Sequence, residues 1–182
     1  SSYMAYYNKD GVPKLSFWQE LNLSNDSEKI VKFIKLQELI VQWNRKINLT
    51  RLITGDDYWV SQVFDSIWPI RNLISDPNKP LHCIDIGTGC GFPGLAIAIA
   101  MPNSKLTLVD SKHRKTFAVR EITKELGIEN RVEIRTERAE VTGQNPLYRR
   151  RFDLAMARAV AQPAIVAEYL LPLIIFPLIF VF

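Results

Sequence analysis

Residues 84–94 read Ile-Asp-Ile-Gly-Thr-Gly-Cys-Gly-Phe-Pro-Gly, a stretch in which an apolar run passes into closely spaced glycines. The run over 81–86 predicts a buried strand, and Pro93 in a first helical turn predicts a helix over 93–101. Glycines between a strand and a helix permit a tight turn that exposes backbone N–H groups. We therefore predict a strand–turn–helix unit of an open α/β sheet, which binds ligands at the carboxyl ends of its strands.

The alternation of strand and helix continues after this loop. Further apolar runs predict strands at 105–109, 132–136 and 152–157, helices at 112–126 and 162–171, and a last strand at 178–182. Strands that alternate with helices require right-handed crossovers, so we predict a doubly wound, Rossmann-like parallel sheet covered on both faces. The last strand would form an exposed apolar edge, and we interpret the sheet as truncated there.

The sequence before residue 80 has a helical pattern instead. We predict three helices there, at 17–21, from Asn25 up to Asn48, and at 56–73. Asn25 and Glu28 form a capping-box pattern at the start of the second helix. We therefore expect a helical portion at 1–80 that packs on the core, and a Rossmann-like domain at 81–182 that is incomplete at its C-terminus.

The composition limits the class of protein. The 182 residues carry 23 Lys and Arg against 19 Asp and Glu, and 47% are hydrophobic, which favours a folded domain over disorder. The net charge of +4 arises within residues 81–151, which is compatible with a polyanionic partner. Two cysteines without a Cys-x-x-Cys pair and two histidines predict neither a metal site nor a disulfide. Prolines interrupt the apolar C-terminal stretch and no signal peptide is evident, so we expect a cytoplasmic protein without a membrane segment.

Three acidic residues follow or end three predicted strands. Asp85 precedes the loop, Asp110 closes the second strand and Glu140 follows the third. An acid at the loop disfavours a phosphate and favours a cation, such as the amino group of S-adenosylmethionine. Asp110 is placed to accept hydrogen bonds from two ribose hydroxyls, and Glu140 to face an adenine edge. The structural alternatives are a loop cap for Asp85, a helix cap for Asp110 and a solvated Glu140. The formal match to G-x-G-x-x-G, read from Gly89, also leaves a dinucleotide oxidoreductase open.

Several blocks resemble the bacterial 16S ribosomal RNA guanine-N7 methyltransferase family, also called glucose-inhibited division protein B. The blocks follow the family's order over roughly residues 36–172. They are Trp-Asn-Arg-Lys-Ile-Asn-Leu-Thr at 43–50, Phe-Asp-Ser at 64–66, the run at 84–111, Arg-Ala-Glu at 138–140 and Ala-Arg-Ala-Val-Ala at 157–161. The chain departs from the family at Gln62, where a histidine is frequent. The family's later glycine-rich turn and Lys-Gly strand are not recognisable after Leu173.

The resemblance implies methyl transfer from S-adenosylmethionine to N7 of a guanine in 16S ribosomal RNA or the small ribosomal subunit. N7 has a free lone pair, so we expect no general base, and the enzyme acts by positioning and desolvation. Alternatives are a methyltransferase of the same fold acting on protein or a small molecule, and a non-catalytic RNA-binding module. The oligomeric state is open, with a monomer favoured for the complete protein.

The predicted site residues fall into two groups. Those expected to bind the methyl donor are Asp85, Gly87, Gly89, Phe92, Asp110, Ser111, Lys112, Ala139, Glu140 and Arg158. Those expected to contact RNA are Asn48, Arg138, Arg149, Arg150, Arg151 and Arg158. Among these Arg158 is the predicted catalytic residue, because arginine at the end of the fourth strand can position guanine through O6 or a phosphate.

Overall fold

A five-stranded parallel sheet in the order β3-β2-β1-β4-β5 organises the computed structural model. The structure describes residues 6–24, 26–74, 76, 80–157, 163–174 and 179–181. The strands are β1 His82–Ile86, β2 Lys105–Asp110, β3 Val132–Thr136, β4 Leu154–Ala157 and β5 Ile179–Val181. The strand order reverses between β1 and β4, and such a switch point is where doubly wound sheets bind their ligands.

Helices of varied length connect and cover these strands. In the described residues they are α1 Leu15–Glu20, α2 Ser27–Asn44, α3 Gly55–Tyr58, α4 Asp65–Ile67, α5 Arg71–Ile74, α6 Gly94–Ala100, α7 His113–Glu125, α8 Ala139–Gln144 and α9 Pro163–Leu170. A π-helical turn spans Trp59–Phe64, and 3₁₀ turns span Trp68–Ile70, Glu129–Arg131 and Leu171–Leu173. The predicted doubly wound sheet is confirmed.

Two helix predictions need correction, and one helix was not predicted. Asn25 lies outside the described residues, and the N-cap of α2 is Asp26, whose carboxylate accepts a hydrogen bond from the Lys29 N–H at 3.2 Å. The predicted helix at 56–73 is instead a series of consecutive α, π and 3₁₀ turns, and Pro69, which lacks a backbone donor, lies in the 3₁₀ turn Trp68–Ile70. The short helix α8 follows β3, where only a connection was expected.

Alternation along the strands divides the core into two clusters. One face of the sheet carries Cys83, Leu106, Leu108, Leu154 and Met156, which pack against α2, α6 and α7. The other face carries Ile84, Ile86, Val109, Ala155 and Ala157, which pack against α9 and the segment before β4. The described helices before residue 80 belong to the first cluster, so they share one hydrophobic core with the sheet. Within the described part of the chain, no helix is both long and apolar enough to cross a bilayer.

Candidate functional site

The loop after β1 is tied to the end of β2 by its backbone. The N–H groups of Gly87 and Thr88 both donate to the carbonyl of Val109, at 2.8 and 2.9 Å. Gly87 and Gly89 adopt φ values of 76° and 58°, in the left-handed region that favours glycine. These contacts hold the glycine loop at the carboxyl edge of the sheet.

Asp85 lies beneath this loop and is fully buried. Its Oδ2 accepts hydrogen bonds from the Thr88 hydroxyl at 2.7 Å and from the Gly94 N–H at 2.9 Å. The carboxylate thereby joins the loop to the first turn of α6, as the loop-cap alternative describes. Direct binding of an amino group by Asp85 stays a prediction.

The start of α6 discriminates against a phosphate ligand. Its first N–H, on Gly94, donates to Asp85, and the Leu95 N–H donates to the Gly91 carbonyl at 2.6 Å. A dinucleotide would place its pyrophosphate on these N–H groups. Because they are engaged, and because a buried acid faces them, the dinucleotide alternative is disfavoured.

A cavity of about 700 Å³ opens at the carboxyl ends of the strands. Several predicted donor-binding residues line it together, namely Gly87, Gly89, Asp110, Ser111, Lys112, Ala139 and Glu140. The wall is completed by Leu49 and Thr50 from the N-terminal portion and by apolar residues of α9. Its volume lies within the range typical of small-molecule sites. Phe92 lies outside this lining, fully buried against the Tyr58 ring at a centroid separation of 6.1 Å.

The Asp110 carboxylate is fixed in the cavity wall by two backbone donors. The Gly89 N–H donates to Oδ2 at 3.0 Å, and the Lys112 N–H donates to Oδ1 at 2.9 Å. An ionised carboxylate offers about four acceptor positions. Each oxygen therefore retains acceptor capacity for a ligand hydroxyl, while its direction is set by the loop on one side and by the entry to α7 on the other.

The charges that line the cavity are balanced. The acids are Asp110, Glu137 and Glu140, and the bases are Lys112, Lys115 and Arg138. Glu137 is partly engaged, since it accepts from the Thr142 hydroxyl at 2.8 Å and lies 3.6 Å from the Arg135 guanidinium. Such a lining suits a ligand that carries both charges better than one with several phosphates. No group of three or more His, Cys, Asp or Glu among the described residues could hold a metal ion.

Comparison with known proteins decides the family. The model of the family described as rRNA small subunit methyltransferase G matches residues 29–177. The chain belongs to this family. It is 52% identical over 165 residues to the ribosomal RNA small subunit methyltransferase G of Synechococcus sp. (strain CC9902), which covers 91% of this chain and 68% of the relative. It is 52% identical over 161 residues to the protein of that name from Prochlorococcus marinus (strain NATL1A), with 88% and 65% covered.

The chain therefore spans about two thirds of the length of these curated methyltransferase G relatives. Among solved structures, a putative caffeoyl-CoA O-methyltransferase from Staphylococcus aureus is similar, with a TM-score of 0.55. The sequences are 17% identical, and the match covers 76% of this chain and 61% of that one. This likeness supports the Rossmann-like methyltransferase fold.

The methyltransferase G signature at 43–50 builds one wall of the cavity. Asn44, the last residue of α2, accepts through Oδ1 from the N–H groups of Leu49 at 2.8 Å and Thr50 at 3.2 Å. Its Nδ2 donates to the Thr50 carbonyl at 2.7 Å. Asn48, the residue expected to contact RNA, is exposed and lies outside the lining. Sequence reasoning missed Asn44, although an asparagine that ends a helix before a turn is a known signal for such local hydrogen bonds.

Gln62 connects this wall to the glycine loop. It is fully buried in the π-helical turn, a feature frequent at functional sites. Its Nε2 donates to the Thr50 Oγ1 at 3.3 Å and lies 3.7 Å from the Cys90 Sγ. Both Thr50 and Cys90 line the cavity, so Gln62 connects the cavity wall to the helical portion of the chain.

The predicted arginines do not lie together. Arg138 is exposed at the N-cap of α8 and lines the cavity. Three of the predicted arginines, Arg149, Arg150 and Arg151, come directly before β4. Because the sheet is parallel, they lie at its amino edge, opposite the cavity. There Arg151 and His82 line a separate depression of about 280 Å³. Their expected contact with RNA stays a prediction, and it would take place away from the cavity. Arg158 lies outside the described residues.

Proposed function

We propose that this chain is the donor-binding part of a cytoplasmic enzyme that transfers a methyl group from S-adenosylmethionine to N7 of a guanine in 16S ribosomal RNA. The observation that carries the proposal is the cavity at the strand ends, where Asp110 is fixed between the glycine loop and α7. The cavity belongs to a chain of the methyltransferase G family.

The residues present fit S-adenosylmethionine. A Cβ built on Gly89 meets no atom within 4 Å, so the loop leaves open space on the side that lines the cavity. Asp110 has the acceptor capacity that ribose hydroxyls need, and the balanced lining suits a zwitterionic donor. When bound, the donor would supply an electrophilic methyl group on a positively charged sulfur.

The chain's own contribution to transfer is positioning and exclusion of water. Guanine N7 attacks with a ring lone pair, so no side chain has to remove a proton first. Apolar side chains at Leu49, Val166 and Leu170 form part of the wall and keep water from the reacting atoms. Lys112, Lys115 and Arg138 on the same lining can hold phosphates of the RNA.

The target base must expose N7, which a deep and narrow A-form major groove hides. We therefore expect a guanine in a loop or an extruded guanine as the substrate. Arg158 follows Ala157, a cavity-lining residue, and its proposed role in orienting the base derives from the sequence and the family resemblance.

The proposal is tested with small ribosomal subunits and naked 16S RNA from cells that lack the corresponding gene. The expected result is donor binding by calorimetry, and transfer of labelled methyl to RNA that mass spectrometry locates at guanine N7. Label in protein from a cell extract instead would favour the alternative substrate class. RNA binding without transfer would favour a binding module.

A matched pair of variants tests the predicted role of Arg158. Arg158→Ala should lower the transfer rate much more than it lowers the midpoint of thermal unfolding. Lys9→Ala removes an equal charge from an exposed residue outside the cavity lining and should leave transfer unchanged. Equal rates for the two variants would remove Arg158 from the proposal.

A further inference from the structure

Phe117 on α7 is a large aromatic side chain that the core does not use. Its exposed fraction is 47%, whereas its neighbours Ala118 and Val119 are fully buried. The ring contacts Trp43 of α2 edge-on, with 5.9 Å between centroids and an interplanar angle of 75°. A T-shaped contact covers at most one face of a ring. Together with the exposed fraction of 47%, this leaves part of the Phe117 ring open to a planar partner.

A second exposed aromatic residue, Trp68, shows the contrast. It is 37% exposed, but Phe64 stacks on one face at 5.4 Å and the Arg71 guanidinium lies 3.5 Å from the ring centroid. Trp68 is thus engaged by its own chain. Phe117 has no comparable stack among its described ring contacts.

Two cationic residues belong to the same patch as the Phe117 ring. Lys46 holds its ammonium 4.9 Å from the Trp43 ring centroid, and Arg114 is exposed one helical turn before Phe117. The acid one turn after Phe117, Glu121, is held by Lys124 at 3.2 Å. Exposed aromatic rings between cations are the pattern by which proteins bind single-stranded nucleic acid.

The patch and the cavity lining are connected through α7 and the turn after α2. The entry to α7 supplies Ser111 and Lys112 to the cavity lining, and Phe117 lies four residues, about 6 Å along the helix, after His113, the first residue of α7. On the other side, Trp43 precedes the turn that brings Leu49 to the same lining. RNA that reaches the cavity can therefore continue across α2 and α7.

We propose that Trp43, Lys46, Arg114 and Phe117 form a docking platform for a single-stranded RNA segment next to the target guanine. One base stacks on the open face of Phe117, Trp43 orients that ring, and Lys46 and Arg114 meet the phosphates. The proposal rests on the proposed function for the identity of the target, but its central contact is measurable without the methyl donor.

The test measures the binding of a fluorescent single-stranded RNA of about ten nucleotides by anisotropy, with no donor present. Phe117→Ala should weaken binding roughly 5- to 150-fold, the range expected for a lost base–aromatic stack, and Phe117→Trp should restore it. Val31→Ala is the matched control, because Val31 is 61% exposed on α2 but lies about 18 Å along the axis from Trp43. Unchanged binding by Phe117→Ala overturns the platform.

Salt dependence separates stacking from phosphate contacts. Lys46→Gln should reduce the slope of log K against log salt by about 0.7, the value for one phosphate contact on a single strand. Phe117→Ala should weaken binding with no change of slope. A slope change for Phe117→Ala, or none for Lys46→Gln, contradicts the assigned roles.

The platform and the proposed function fail in different ways. If wild-type protein transfers methyl to RNA while Phe117→Ala binds and transfers equally well, the platform is wrong and the function stands. If Phe117 is needed for RNA binding but wild-type protein transfers nothing, the function is wrong and the platform stands. A change of oligomeric state in Phe117→Ala with unchanged RNA binding would make the patch a contact between copies of the chain, which also overturns it.

Discussion

Gly89 and Gly127 have nearly the same backbone but different surroundings. Their φ values are 58° and 69°, and a Cβ built on either residue meets no atom within 4 Å. An L-residue in the left-handed region costs about 1–2 kcal/mol. Gly89→Ala and Gly127→Ala should therefore destabilise the fold similarly, with the midpoint of thermal unfolding lowered by roughly 2–8 °C in a chain of this size.

Donor binding should distinguish the two variants. Gly89 lines the cavity and its N–H fixes Asp110, whereas Gly127 follows α7 and lies outside that lining. An alanine at 89 places a methyl group in the open space proposed for the donor, beside the N–H that binds Asp110. If this costs one hydrogen bond in the site, about 1–3 kcal/mol, donor affinity falls roughly 5- to 150-fold.

The assay is calorimetric titration of S-adenosylhomocysteine into wild-type protein and both variants at a temperature well below their unfolding transitions. We expect the wild-type affinity for Gly127→Ala and a weakened one for Gly89→Ala. Wild-type affinity in both variants would refute the placement of the donor against the glycine loop. Equal losses would show that backbone strain, and not contact with the donor, controls binding.

Three further predictions concern the support of the site. Gly94→Ala should lower the free energy of unfolding by about 1–3 kcal/mol in urea titrations, because a Cβ there collides with the buried Leu108 Cδ2; an unchanged value would contradict this packing. Gln62→Leu should lower the free energy of unfolding by about 1–3 kcal/mol and weaken donor binding, because it removes the amide that donates to the Thr50 hydroxyl. Wild-type values for both quantities would show that this hydrogen bond does not support the cavity wall. Burial, with a smaller contribution from the nearby acids Asp153 and Asp85, raises the pKa of the Cys83 thiol to about 12. Because the thiol has a pKa of 9.0 in the unfolded chain, it ionises there first, and the free energy of unfolding should fall as the pH rises from 9.0 to about 12. Iodoacetamide at pH 8.5 should leave native Cys83 unmodified, and rapid native alkylation would contradict this.

The arrangement of strands was predictable where the sequence pattern is local. The strand Val132–Thr136 agrees with its predicted bounds, and the carboxyl end of β2 places Asp110 on the cavity as expected. Both results follow because the carboxyl ends of parallel strands share one edge. The short helix α8 was missed because six residues between a strand and a loop carry too little periodicity to be read.

The direction of a strand side chain was harder to predict. Asp85 is four residues into β1 and lies on the same face as Cys83, towards α6, because side chains alternate along a strand. The number of residues between Asp85 and the glycines does not show on which face of the sheet the Asp85 side chain lies. The contacts of Gln62 were also out of reach, since they join positions 12 and 28 residues away along the chain.

Asp85 and Asp110, the two aspartates bonded to the glycine loop, have separate roles. Asp85 is buried and its Oδ2 accepts from Thr88 and from the first N–H of α6, while Asp110 keeps acceptor capacity at the surface of the cavity. A helix N-terminus is ordinarily a site for anions. Because the Gly94 N–H donates to Asp85 and the Leu95 N–H donates to the Gly91 carbonyl, a phosphate at this end of α6 would meet a carboxylate and two engaged donors. The contact that fixes the loop therefore disfavours a dinucleotide, in agreement with the proposed phosphate-free donor.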